Sequence, residues 1–333
     1  MKKLYKSRKF ILFNKHRSEK SIRYNSRKKH NHTSNSVKIN QHFERKYTHI
    51  SAPKCFSIVH NSVATIDFLS NIQDVISKNH PLFIDLALVT EITPDAIIYL
   101  LILFDEASNK SVRIKGNAPL DSNAFSVFYH SGFYKYVSSQ YNNERTPQNI
   151  DIMQIIKGNN VDGNNVESFT SFIKKHIPKI PNLKLKALYT VLIESMCNTH
   201  EYASKNKGEK NWWTMALHDS KTDKNLFTFA DNGLGIPATV RKRYNFISKN
   251  DAEILELAVS GLYKMSGSKI KTRNRGLPQM KQLNDKDLIN NLVFVSNNGY
   301  YSINDGQQKL NKKFTGTLIT WELTNIRSYY EDI

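Results

Sequence analysis

At 333 residues, 39% hydrophobic and 11% aromatic, the chain can build two ordinary cores, which excludes wholesale disorder. Its formal net charge of +19 is unevenly spread: residues 1–50 hold 15 Lys+Arg against 2 Asp+Glu, the remainder 33 against 27. The two cysteines, Cys55 and Cys197, exclude a disulfide framework, and no apolar run approaches the roughly 20 residues of a membrane span. A cytoplasmic protein with no membrane attachment is expected.

Residues 1–47 read as a disordered basic arm, because "SRKKHNHTSNS" is polar and aperiodic. Such an arm suits nucleic acid, where each neutralised phosphate releases a counterion, and Tyr5, Phe10, Phe13 and Tyr24 could stack on bases. A solvated tail, or one that docks on an acidic protein, has the same composition.

Residues 48–140 alternate between strand and helix patterns. "KCFSIVH", "PLFIDLALV" and "SVRIKG" read as strands; "SVATIDFLSNIQDVISK", "TPDAIIYLLILFDEAS" and "DSNAFSVFYHSGFYKYV" read as helices. Thr93 stands at an N-cap position with Pro94 at the first helical position. The expectation is a small α/β domain. Residues 141–165, with the patches "KGNN" and "DGNN" around "IDIMQII", read as a linker with one structured piece.

From 166 to 333 a second α/β domain is expected, with helices beside a mixed, largely antiparallel sheet. "LKLKALYTVLIESMCNTHEYAS" is a long helix, "NWWTMALHD" and "NLFTFADNG" are strands, and "DAEILELAVSGLYKM" and "LPQMKQLNDK" are helices. "NNLVFVSNNGYYSIN" and "FTGTLITWEL" are closing strands, with an Asn-Gly turn expected inside the first.

Three stretches of this half carry polar groups suited to chemistry. On the long helix Leu185, Leu188, Leu192 and Met196 form an apolar stripe, and Glu194, Asn198 and Glu201 lie nearly opposite. That is either a solvated face or a set aimed at a ligand. In "FADNGLGIP", Asp231 closes an apolar strand and Gly233 and Gly235 permit positive φ and close ligand approach. In "SGSKIKTRNRGLPQM", Gly267 and Gly276 flank Lys269, Lys271, Arg273 and Arg275 before a helix that starts near Leu277 and Pro278. That combination suits a polyphosphate, and equally a mobile basic surface loop.

Taken in order with "GTLITWEL", these stretches resemble the GHKL ATPases: gyrase-type topoisomerases, heat-shock chaperones of that fold, histidine kinases and mismatch-repair ATPases. The resemblance covers about residues 166–323 and implies a Bergerat-type α/β sandwich with helices on one face of the sheet. It implies ATP with Mg²⁺ as ligands. Glu194 would be the general base, and Asn198 would hold Mg²⁺. Asp231 would accept from the adenine amino group, Gly233 and Gly235 would shape the pocket, and Thr317 would assist Asp231 through its hydroxyl. Arg273, Arg275, Gly276 and Leu277 would belong to a lid over the phosphates. Asn274 stands where the family usually has glycine, and Tyr202 where many bacterial relatives have histidine. No phosphoacceptor-histidine helix precedes the domain, which argues against a sensor kinase.

"LFIDLALVTEITPDAIIYLLILFDEASNKSVRIKGN" resembles a STAS-type domain, as in anti-sigma-factor antagonists. There a serine at the helix start is phosphorylated; here Asp95 holds its approximate position and Thr93 is the nearest hydroxyl. A first-turn acid favoured by the helix dipole is the simpler account of Asp95. The implied functions are an ATPase whose nucleotide state switches domain or partner interactions, an anti-sigma-type Ser/Thr kinase, or a nucleic-acid-associated regulatory or anti-phage defence subunit. A protein partner or a homodimer would fit any of them.

Overall fold

A computed structural model describes residues 47–137, 147–202, 210–244, 248–262 and 276–324. The described residues from 49 onward belong to one compact unit. The basic arm up to residue 46 lies outside the described residues, as do residues 263–275 of the basic glycine-flanked loop.

The first half is α/β with parallel strand pairs. Its elements are β1 (Thr48–Ser51), β2 (Cys55–Phe56), α1 (Ser62–Ser77), β3 (Leu82–Asp85), β4 (Glu91–Ile92), α2 (Pro94–Asn109), β5 (Ile114–Gly116) and α3 (Ser122–His130). β3 pairs with β5 and β2 with β4, both parallel. Pro94 opens α2, but the Thr93 side chain makes no capping bond. Asp121 does cap α3, accepting from Ala124 N–H at 2.8 Å. Asp95 lies in the first turn of α2, as expected. It is 2% exposed and its carboxylate accepts from the Ile58 N–H.

The second half is a five-stranded sheet in the order β6-β7-β8-β10-β9, with every neighbouring pair antiparallel. Its strands are β6 (Ile150–Gly158), β7 (Trp212–Asp219), β8 (Lys224–Asp231), β9 (Asn290–Ser302) and β10 (Gly306–Thr324). Its helices are α4 (Gly163–His176), α5 (Asn182–Tyr202), α6 (Ile236–Arg243), α7 (Asp251–Ser260) and α8 (Gly276–Asp285). Within the 141–165 stretch, "IDIMQII" supplies most of edge strand β6, paired to β7. Asn250 and Glu253 form a capping box that starts α7, and Gly261 at φ +69° caps its end; the "YKM" expected to continue the helix lies outside the described residues.

The Asn-Gly turn expected inside β9 is not there. β9 runs unbroken through Asn298 and Gly299, and the reversal comes after Ser302, with Gly306 at φ +82°. Tertiary contacts override the local turn signal. Asn297 is tied to the start of α6, and a Cβ on Gly299 would lie 2.8 Å from the Asp251 carbonyl oxygen.

Strand alternation gives the sheet two apolar faces. Phe227, Phe229, Ile319 and Trp321 meet the stripe Leu188, Leu192 and Met196 of α5, together with Phe169, Leu255 and Met280. Trp213, Met215, Leu217, Ala230, Val295 and Leu318 meet Ile97, Leu101 and other residues of the first half. Helices therefore cover both faces: α4, α5, α7 and α8 on one, α1 and α2 on the other. The second half's own helices α4, α5, α7 and α8 lie on one face of its sheet, and the first half covers the other. The back of the sheet is too apolar to stand in water, since each fully buried Leu, Ile or Phe contributes roughly 1.5–3 kcal/mol relative to exposure. Among the described residues no helix is long and apolar enough to cross a membrane.

Candidate functional site

Asp231 ends β8 on the face that meets α5. It sits between Trp212 of β7 and Thr317 of β10 in the register. The residue is 8% exposed. Burial pushes its carboxyl up to about 7, against the opposing pull of the backbone N–H groups of Gly233 and Thr317 and of the Thr199 hydroxyl. Gly233 N–H donates to Asp231 Oδ1 at 2.7 Å. Asn232 turns the other way: its Oδ1 accepts from Asn211 N–H at 2.9 Å and holds the start of β7.

Gly235 takes φ +88° and caps α6. A Cβ there would lie 2.6 Å from Asn297 Oδ1 and 2.7 Å from Ser296 Oγ, so only glycine fits. Those two β9 side chains occupy the first N–H groups of α6. Ile236 N–H donates to Ser296 Oγ at 2.9 Å and Ala238 N–H to Asn297 Oδ1 at 3.1 Å. The Ser296 hydroxyl in turn donates to the Gly316 carbonyl at 2.8 Å. Gly316, at φ +75°, passes so close to the Asp231 carbonyl oxygen that any Cβ would clash. The Thr317 hydroxyl lies 3.3 Å from Ser296 Oγ, and it is the Thr317 backbone N–H that meets the Asp231 carboxylate.

Glu194 is half-buried on α5, and its carboxylate lies against Gly276, the first residue of α8, with no room for a Cβ between them. Burial, and then the neighbouring Glu201, hold the Glu194 carboxyl above its ordinary range. Glu194 thus lies beside the first turn of α8. Asn198, half-buried, lies one turn farther along α5 on the same side, and Glu201 beyond it is exposed. Leu277 is partly buried in the core shared by α5 and α8. Arg273 and Arg275 lie outside the described residues, with Lys269, Lys271, Gly267 and Asn274.

Asp231 and Thr317 therefore come together, as do Glu194 and Gly276. Sequence reasoning missed Thr199, Ser296 and Asn297. Thr199 had a signal, because one step past Asn198 turns a helical side chain by about 100°, toward the sheet. Its hydroxyl donates to the Ser195 carbonyl at 3.0 Å and is buried. Ser296 and Asn297 carried none, since their partners are 20 to 63 residues away. Among the described residues no cluster of three or more His, Cys, Asp or Glu could hold a metal by itself. Comparison of the chain with protein-family models and with curated proteins finds no match to either.

Proposed function

We propose that this site binds ATP with Mg²⁺ and hydrolyses it, on a GHKL-type sandwich, and that the first half is STAS-like. The observation that carries the reading is the buried Asp231 carboxylate at the end of a central strand, on the face that meets the helix bearing Glu194 and Asn198. A buried acceptor beside backbone shaped by Gly235 and Gly316 suits the donor edge of an adenine amino group. The N-terminus of α8, beside Glu194, suits an anionic phosphate chain.

The residues present fit the metal. Mg²⁺ takes few protein ligands and keeps waters and phosphate oxygens, so the half-buried Asn198 amide oxygen suffices without an acidic cage. When bound, the ion would offset phosphate charge. Asp231 orients the base. Glu194 accepts a proton from water as the water oxygen bonds to the γ-phosphorus. The bond from that phosphorus to the bridging oxygen breaks, and ADP leaves with the electron pair. A carboxyl held above its ordinary range is a better base for this step than a fully solvated one.

ATP binding and phosphate release in the presence of Mg²⁺ test the reading. Glu194→Ala should bind ATP and turn over at least 100-fold more slowly, while Asp231→Ala should lose binding. A wild-type protein with no affinity for ATP and Mg²⁺ ends it.

A further inference from the structure

The wall of the Asp231 pocket is held from behind the sheet by the other half of the protein. Along β10 the register with β9 jumps from Phe314↔Asn297 to Thr317↔Ser296, so Thr315 and Gly316 form a bulge. Bulges beside functional sites re-aim the groups that follow them. Contacts from α2 and α1 hold this one. Tyr99 of α2, 1% exposed, stacks on Phe314 with ring centroids 3.6 Å apart. The Thr315 N–H donates to the Tyr99 phenol oxygen at 2.7 Å. From α1, Gln73 Nε2 donates to the Thr315 hydroxyl, and Lys312, farther along the strand, reaches Asn71 and Asp74. On the site side of the bulge, Gly316 rests on the Asp231 backbone and the Thr317 N–H meets the Asp231 carboxylate.

We propose that Tyr99 and Gln73 are positioning residues for the nucleotide site: they hold the 315–316 bulge and so keep the Thr317 N–H against Asp231. The inference rests on the ATP reading above. It makes the first half a regulator of that site, because any displacement of α1 and α2 from the sheet loosens the bulge. Coupling of this kind is reciprocal, so bound nucleotide must also tighten the bulge on α1 and α2.

The test uses the full chain, with ATP and ADP affinities in Mg²⁺, steady-state hydrolysis, and hydrogen exchange of a peptide spanning 311–318. Tyr99→Phe keeps the ring stack and removes the phenol oxygen that meets Thr315; Gln73→Ala removes the α1 contact to the Thr315 hydroxyl and does not touch the core stack. Each should weaken ATP and ADP by the same factor, about three- to tenfold, with kcat at saturating ATP within about twofold. ADP should slow exchange of the 311–318 peptide in wild type and less so in the variants. A contact that serves stability alone would lower the melting temperature and leave both affinities unchanged, which overturns the inference while the ATP reading stands. A wild-type protein that binds no ATP overturns both.

Discussion

The carboxyl of Asp231 stands at about 7 because burial costs its charged form more than the Gly233 and Thr317 N–H groups and the Thr199 hydroxyl return. On the ATP reading, an adenine amino group donates more strongly to the ionised carboxylate than to the neutral acid. Near neutral pH, ligand binding should therefore drive a proton off Asp231. With a free-state value of about 7, roughly one tenth of the carboxyl is ionised at pH 6 and nine tenths at pH 8. Affinity should then rise about tenfold from pH 6 to pH 8, equivalent to about 1.4 kcal/mol. Adenosine is the right probe, since it carries no phosphate that titrates in this window. Titration calorimetry in two buffers of different ionisation enthalpy should show close to one proton released at pH 6 and almost none at pH 8. Asp231→Asn should bind weakly with no pH slope. Equal adenosine affinity at pH 6 and 8 in wild type, or the same slope in Asp231→Asn, would refute the reasoning. The stability sign is opposite to that of binding. A carboxyl raised from 3.8 contributes stability that is fully present below pH 3.8 and lost as pH rises through about 7. The ligand-free fold should weaken over the same interval in which adenosine is expected to bind better.

Two further predictions concern stability. Gly316→Ala forces a side chain into the left-handed region and into the Asp231 carbonyl, so it should destabilise by about 2–4 kcal/mol in urea unfolding; a change below ~1 kcal/mol would show that the bulge relaxes freely. At the far end of the sheet His176 of α4 stacks on His218 of β7 at 3.9 Å, with Asp151 of β6 at 2.9 Å from its Nε2 and Lys175 beside it. Burial, and then His218, lower the His176 value below 6.5, with Asp151 opposing. The unfolded chain therefore binds the proton first, and stability should fall as pH drops below 6.5. His176→Phe keeps the stack and should lose part of that fall, read from urea midpoints at pH 7 and pH 5; an identical fall in the variant would exclude His176 as its source.

Much of the local structure was legible before any coordinates. The stripe Leu188, Leu192 and Met196 marked both α5 and its buried face, because helical periodicity is a property of consecutive residues. Asp231 was legible for the same reason, since the apolar run "NLFTFA" has to end where "DNG" begins. Glu194 and Asn198 could be placed on one side of the helix by spacing alone, and Gly276 at a helix start by the Leu-Pro that follows it.

What the chain pattern could not contain was set by register and close approach. The Asn298-Gly299 pair looks like a turn, yet Asn297 is spent on α6 and Gly299 on the Asp251 carbonyl, so the strand runs straight through. Ser296 reaches Gly316 and Ile236 across separations at which sequence carries no spacing rule. The largest such decision is the covering of the sheet's back face by α1 and α2, where Tyr99 meets Thr315 across 216 residues. Periodicity announces that a surface is apolar; which surface buries it depends on shape, area and hydrogen bonds that form only once both halves are folded.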